Sequence, residues 1–323
     1  MTTWERVTAA VDNPLIVKDG VSRMRTWKAP LLVTLYVGLM GALGYAIFVL
    51  AVILDANQRL GSGAAQVGAE VFEALALIQI SLISLFAPAL AAGAISGERE
   101  RQTLDVLLVS RVSALGIVWG KLVASVAFML LLILAALPLF AAVFLFGGID
   151  GEQFLITQLL TVTTAISLGS MSLFLSALFR RTLPSTVASY GAAFAAIIGT
   201  LVLGWLLSFV ILQREGGAST GDVHPLLFVN PLYSLLQVLT SANGAPMSLG
   251  RAVALFFLVI GRGDSGPQLE PWQATVLVQL VAIGLFVFGA VRLVEGRRVA
   301  QPRLRPEPEV EVPEPPEEEV AEP

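Results

Sequence analysis

Six apolar blocks, at 30–54, 71–95, 122–146, 154–179, 184–212 and 272–294, constrain this chain more than any other feature. A helix rises about 1.5 Å per residue, so a run of about twenty residues crosses the roughly 30 Å of hydrocarbon in a bilayer. With 56% apolar and 14% charged residues, against roughly 45–50% and about 25% in soluble domains, the sequence excludes a soluble enzyme. The expectation is an all-α polytopic membrane protein with six transmembrane helices. The first block is too long for the h-region of a cleaved signal and follows 29 charged or mixed residues, so it is expected to stay attached as the first span.

Charge then orients the bundle. With the N-terminus inside, cytoplasmic segments hold sixteen of the twenty Lys and Arg, and the outer loops keep Arg59, Arg214, Arg251 and Arg262. That bias follows the positive-inside rule and predicts both termini in the cytoplasm. Three regions follow: a cytoplasmic segment 1–29, a six-span domain 30–294, and a tail 295–323 whose Pro/Glu-rich composition predicts disorder. The net charge of −4 comes from eight Glu beyond Pro306. Within 213–271 two shorter apolar runs, 225–239 and 252–260, predict a re-entrant or interfacial hairpin, with a full crossing pair and eight spans as the alternative.

The residues leave little room for catalysis. There is no cysteine, and the one histidine, His224, has no metal-ligand partner of the HExxH kind. No cofactor or metal is expected on this chain. Hydroxyls crowd the fourth block, and Thr157, Thr161, Thr164 and Ser167 are either helix-packing groups or the lining of a conduit. Asp55, Glu70, Glu73, Arg292 and Glu295 sit at block edges, where they are expected to reach water, and no charge lies at the midplane. Ion-coupled transporters place charge at depth, so its absence favours an energy source outside the bilayer. That source is not encoded here, because the run around Gly116 and Gly120 lacks the glycine spacing and the Ser or Thr of a phosphate loop. Gly116, Gly120, Gly93 and Gly97, with Gly38, Gly41 and Gly44, read instead as small residues for close helix packing.

The segment SGERERQTLDVLLVSRVSALGIVWGK, starting at Ser96, carries the most specific signal. Glu98, Arg99, Glu100 and Arg101 open it with charge, and Thr103, Leu104, Leu107, Leu108 and Arg111 follow at helical spacing with the leucines on one face. A charged surface beside an apolar stripe suits docking to a protein or lying on the lipid surface, and the near-balance of acid and base favours a protein.

These residues resemble the permease subunits of type-2 ATP-binding-cassette exporters. AGAISGERERQTLDVLLVS from Ala92, closing with Gly120 and Lys121, matches the family's charged cluster, Thr-Leu and paired leucines. NPLIVKDGVSRMRTWK from Asn13 is similar to the stretch before the first span in some members, with Asp19 where Glu is usual, and NPLY from Asn230 is a third match. The resemblance implies two permease subunits paired with two separate ATPase subunits that bind ATP and Mg. It also implies an amphipathic N-terminal helix near 17–28, an outer hairpin before the last span, and a coupling helix in which Glu98, Arg99, Glu100, Arg101, Thr103, Leu104, Leu107 and Leu108 meet the ATPase. A permease of a prokaryotic plasma membrane, with lipid and no nucleic acid as surroundings, is the expectation. A gradient-driven transporter or channel and a non-transporting scaffold are the alternatives.

Overall fold

The computed structural model describes residues 27–58, 64–104, 113–214, 225–241 and 270–300, all in helices and the turns between them. The helices are α1 (Lys28–Gln58), α2 (Ala64–Ala91), a short α3 (Ser96–Glu100), α4 (Ala114–Phe144), α5 (Gly151–Leu178), α6 (Thr182–Phe194), α7 (Thr200–Arg214), α8 (Pro231–Ser241) and α9 (Pro271–Ala300). A π-turn, Ala195–Gly199, joins α6 to α7 in one span, and a 3-10 turn, Pro225–Val229, precedes α8. Six helices among the described residues are long and apolar enough to cross a membrane. Each covers one of the six blocks. Residues 17–26, the second half of the outer hairpin and the tail beyond Ala300 lie outside the described residues, whereas 295–300, expected as part of the disordered tail, continue α9.

Several boundaries differ from the apolar blocks. Hydropathy marks where lipid is expected and says nothing of where the backbone starts to coil. Thus α4 begins at Ala114, well before its block, because the Ser113 side chain accepts from the Gly116 amide and caps the helix. Lys121 is thereby part of a helix, with only 6% of its surface exposed. Glu73 corrects a further expectation: it is 4% exposed, inside the bundle rather than at a wet edge.

The core is organised around α5, which packs against α2, α4, α6, α8 and α9. Its most apolar window is 67% buried, whereas those of the first, fifth and sixth spans are 17–22% buried. Those three spans present Leu35, Val202, Val281, Leu285 and Phe288 outward, as a lipid-facing surface requires. Glycines allow the closest approaches: a Cβ on Gly44 would meet Leu75 of α2 at 2.9 Å, and one on Gly289 of α9 would meet Phe174 of α5 at 2.8 Å. Gly41 lies near Leu139, but Gly38 faces open space and is not part of this packing.

The NPLY segment has a structural role. The Asn230 side-chain oxygen accepts from the Leu232 and Tyr233 amides, capping α8, while Pro231 occupies a first turn that needs no donor. Its amide nitrogen donates to the Ile197 carbonyl and to the Thr200 hydroxyl. Ile197 and Thr200 belong to the π-turn region, where the regular helical ladder is interrupted. α8 has eleven residues, about 16 Å of helix, which is too short to cross.

At the end of the bundle where α4 turns into α5, Gly147 and Gly148 have φ of +78° and +82°. A Cβ on Gly148 would lie 2.0 Å from the Ala65 carbonyl oxygen of α2, whereas one on Gly147 would meet open space. We expect Gly147→Ala to lose about 1–2 kcal/mol, the left-handed backbone penalty alone, and Gly148→Ala to lose distinctly more. Unfolding of the detergent-solubilised protein measures both, and equal losses would refute this packing of the loop on α2.

Candidate functional site

The charged cluster at the end of α2 builds the most connected polar site among the described residues. The chain leaves α2 after Ala91, turns through 92–95 and forms α3. Such a break strands backbone groups that a continuous helix would satisfy. The Ser176 hydroxyl of α5 accepts from the Ile95 and Ser96 amides at 3.0 and 2.9 Å and donates to the Ser96 hydroxyl. The Ser96 and Ser185 hydroxyls both donate to the Ala92 carbonyl. The turn is therefore fastened to α5 and to α6.

Each of the next three charges then finds a partner within the chain. Glu98 takes a hydrogen bond and ion pair from Lys121 Nζ of α4 at 2.6 Å, with side chains 24% and 7% exposed. Arg99 donates to the Phe179 and Ala177 carbonyls at 2.6 and 3.2 Å. These are orphan acceptors at the C-terminal end of α5, where the helix dipole also favours a cation. Glu100 accepts from the Thr182 amide at 3.0 Å and from its hydroxyl at 2.7 Å, at the N-terminus of α6 where a carboxylate is favoured. Glu98, Arg99 and Glu100 thus bind three different helices, and the two helix ends each receive the charge that suits them. We refer to this arrangement as the clamp.

Beyond the clamp the chain breaks again. Gln102 has φ of 59°, a left-handed conformation that ends the helix. Arg101, Gln102 and Thr103 are exposed, and the Thr103 hydroxyl bonds back to Glu98. Leu104 turns inward, 5% exposed, and packs with Ile95, Ala114, Ile117 and Val118. Among the residues expected to meet an ATPase, Arg101 and Thr103 face outward and Leu104 does not, while Leu107 and Leu108 lie outside the described residues. The sequence shows the charges of the cluster but not its partners, which lie more than twenty residues away in the case of Lys121 and about eighty for the others.

The hydroxyls expected to line a conduit are closed off here. Thr157, Thr161 and Thr164 are 0–1% exposed and Ser167 is half-buried. Thr161 donates to the Thr157 carbonyl, and Thr164 accepts from Gln279 of α9 at 3.0 Å. Beside them runs a band of amides that the sequence reading missed: Gln79 of α2 accepts from Gln158 of α5 at 3.3 Å. Thr157 Oγ1, Gln158 Oε1 and Gln279 Oε1 are buried without a hydrogen-bond partner among the described residues, while Tyr36 sits within reach of the Gln79 amide. The available signal was a Gln inside an apolar block, which hydropathy averages away.

Breaking a buried ion pair by removing one partner costs about 3–5 kcal/mol, because the other charge stays behind. Glu98 is partly wetted, so we expect Lys121→Met to lose about 2–3 kcal/mol, below that range. The double variant Lys121→Met with Glu98→Gln should lose less than the single one. A double-mutant cycle on unfolding in detergent measures this, and strictly additive losses would show that the pair is not coupled.

No curated protein matches the chain. The family model described as ABC-2 family transporter protein matches residues 15–295, a stretch that includes all six candidate spans, the clamp and the Asn230 cap. With six membrane-crossing helices, a match over most of its length and its charged cluster bound into a helix junction, this chain belongs to the ABC-2 transporter family, as a membrane-spanning permease component.

Proposed function

We propose that the chain is the permease subunit of an ATP-driven exporter in a prokaryotic plasma membrane, with both termini in the cytoplasm. It works with a second permease subunit, and separate ATPase subunits dock on the 97–110 segment and bind the ATP and Mg. No step of ATP hydrolysis is assigned to this chain. The observation that supports the reading is the clamp. A docking segment can move a membrane domain only if it is stiffly joined to the spanning helices. Glu98, Arg99 and Glu100 join it to α4, α5 and α6, and Arg101 and Thr103 remain on the exposed side. The roles divide accordingly: Glu98, Arg99 and Glu100 transmit force, while Arg101, Thr103, Leu107 and Leu108 meet the partner. Leu104 anchors the segment from within, so a charge there would damage folding before it tested docking.

Gentle purification from the native host should recover a soluble subunit with a complete Walker motif at stoichiometric level. Recovering none under several mild conditions would overturn the reading. Arg101→Glu with Leu107→Asp and Leu108→Asp should release that subunit without lowering the unfolding temperature. Arg99→Ala should retain it and lower substrate-stimulated ATPase by about tenfold, a coupling of ordinary size between two sites. Full stimulation in Arg99→Ala would remove the clamp from the mechanism.

A further inference from the structure

The clamp leaves positive charge over. Arg101, Arg180 and Arg181 are exposed, and their side chains make no hydrogen bond or ion pair among the described residues. Arg101 follows Glu100 and Arg181 precedes Thr182, so the three flank the Glu100–Thr182 hydrogen bond that joins α3 to α6. Arg181 also attracts the Glu100 carboxylate across space. Counted with the clamp and Lys121, the junction carries five basic and two acidic side chains, a surplus of three positive charges. Residues 105–112, outside the described ones, add only Asp105 and Arg111, and on α9 Arg292 and Glu295 cancel in the same way.

The end of α9 brings the opposite charge to this face. Ala290 and Val294 belong to the same buried cluster as Ala94, Ile95, Leu104 and Ala177, so α9 ends where α3 begins and α5 stops. Beyond Ala300 the chain continues over 301–323, which holds eight Glu, all after Pro306. Its only basic residues, Arg303 and Arg305, come before the first of these Glu. A chain spans up to about 3.3–3.6 Å per residue, so roughly twelve residues reach about 40 Å, the width of about four packed helices. An anionic lipid surface repels such a segment. Among the described residues, the arginine face is the surface of opposite charge beside its point of departure. Single exposed ion pairs are weak, but a tether sets a local concentration on the order of millimolar, and many Glu can share three arginines.

We propose that 306–323 binds back on its own chain, with its Glu side chains on Arg101, Arg180 and Arg181. Arg101 is also assigned above to the ATPase, so the tail and that subunit would contend for it. That consequence rests on the ATP-driven reading, whereas the contact itself does not, and its test contains no ATPase. The chain has no cysteine, so two can be added without background. Spin labels at Leu183→Cys, 76% exposed on α6, and at Val320→Cys report the distance between face and tail by pulsed electron resonance. The full-length chain is measured in phosphatidylcholine nanodiscs with an excess of unlabelled chain, so that only distances within one chain count. The expected result is a short-distance population that falls about threefold or more in Arg101→Gln with Arg180→Gln and Arg181→Gln. It should fall equally when all eight Glu beyond Pro306 are changed to Gln, a variant that leaves every described residue in place. It should also fall in 1 M salt, where the screening length is about 3 Å. An unchanged population in the tail variant, or in an arginine variant of unaltered unfolding temperature, would overturn the proposal. So would a population that appears only without the unlabelled excess, which assigns the contact to a second copy. Loss of the population when phosphatidylglycerol replaces half of the lipid would assign the arginines to lipid phosphates and overturn it as well.

Discussion

In hydrocarbon no water is at hand for a stray backbone N–H or C=O, and each one left bare costs several kcal/mol. Helices meet this requirement along their length, so the places that need explaining are where a helix stops. Beyond the local Ser113 cap of α4, three such places in the described chain are solved by groups that reach a second segment. Ser176 accepts the amides at the turn after α2. Arg99 and Glu100 serve the end of α5 and the start of α6. Asn230 caps α8 and reaches the π-turn. In each case the group that satisfies one segment's backbone is carried by another segment. The repairs are therefore also the joints, and they decide which helices must move together.

The central position of α5 follows from its composition. Thr and Ser are small enough for neighbouring helices to approach closely, and their hydroxyls can bond to their own helix one turn back, as Thr161, Thr163 and Ser172 do. A hydroxyl-rich helix can thus be buried without needing many partners. The amides around it are less well served. Gln79 joins Tyr36 and Gln158, while Gln158 and Gln279 each keep a buried carbonyl oxygen without a partner among the described residues.

The spans were legible in the sequence because each is a long, continuous signal that averages well over twenty residues. Their ends were not, since a cap such as Ser113 is one hydrogen bond and leaves no trace in hydropathy. The charged cluster was legible as a cluster, but its orientation was not. Helical spacing put Leu104 on a docking face, whereas the left-handed turn at Gln102 swings it into the packing with Ile117 and Val118. One dihedral angle reversed the face. Glu73 was misplaced for a related reason: its position near a block edge said nothing of the neighbours that bury it. The pocket lined by Asp150 and Glu270 was invisible because the two are 120 positions apart and come to one pocket only when α5 and α9 pack.

The two ends of the bundle handle charge in opposite ways, and α5 connects them. At one end Glu98, Arg99 and Glu100 are each neutralised by an ion pair or a helix terminus. At the other, Asp150, Glu152 and Glu270 line one pocket, with no basic residue among the described residues of its wall. The first arrangement makes a rigid junction, because every charge is already committed to a backbone or side-chain partner. α5 runs as one unbroken helix of 28 residues between them, about 42 Å long. Its last carbonyls lie under Arg99 and its first turn carries Asp150 and Glu152. A shift of the clamp along this helix axis would be delivered to the pocket with little loss, since a buried helix is stiff along its length and α5 contacts most of the other helices on the way.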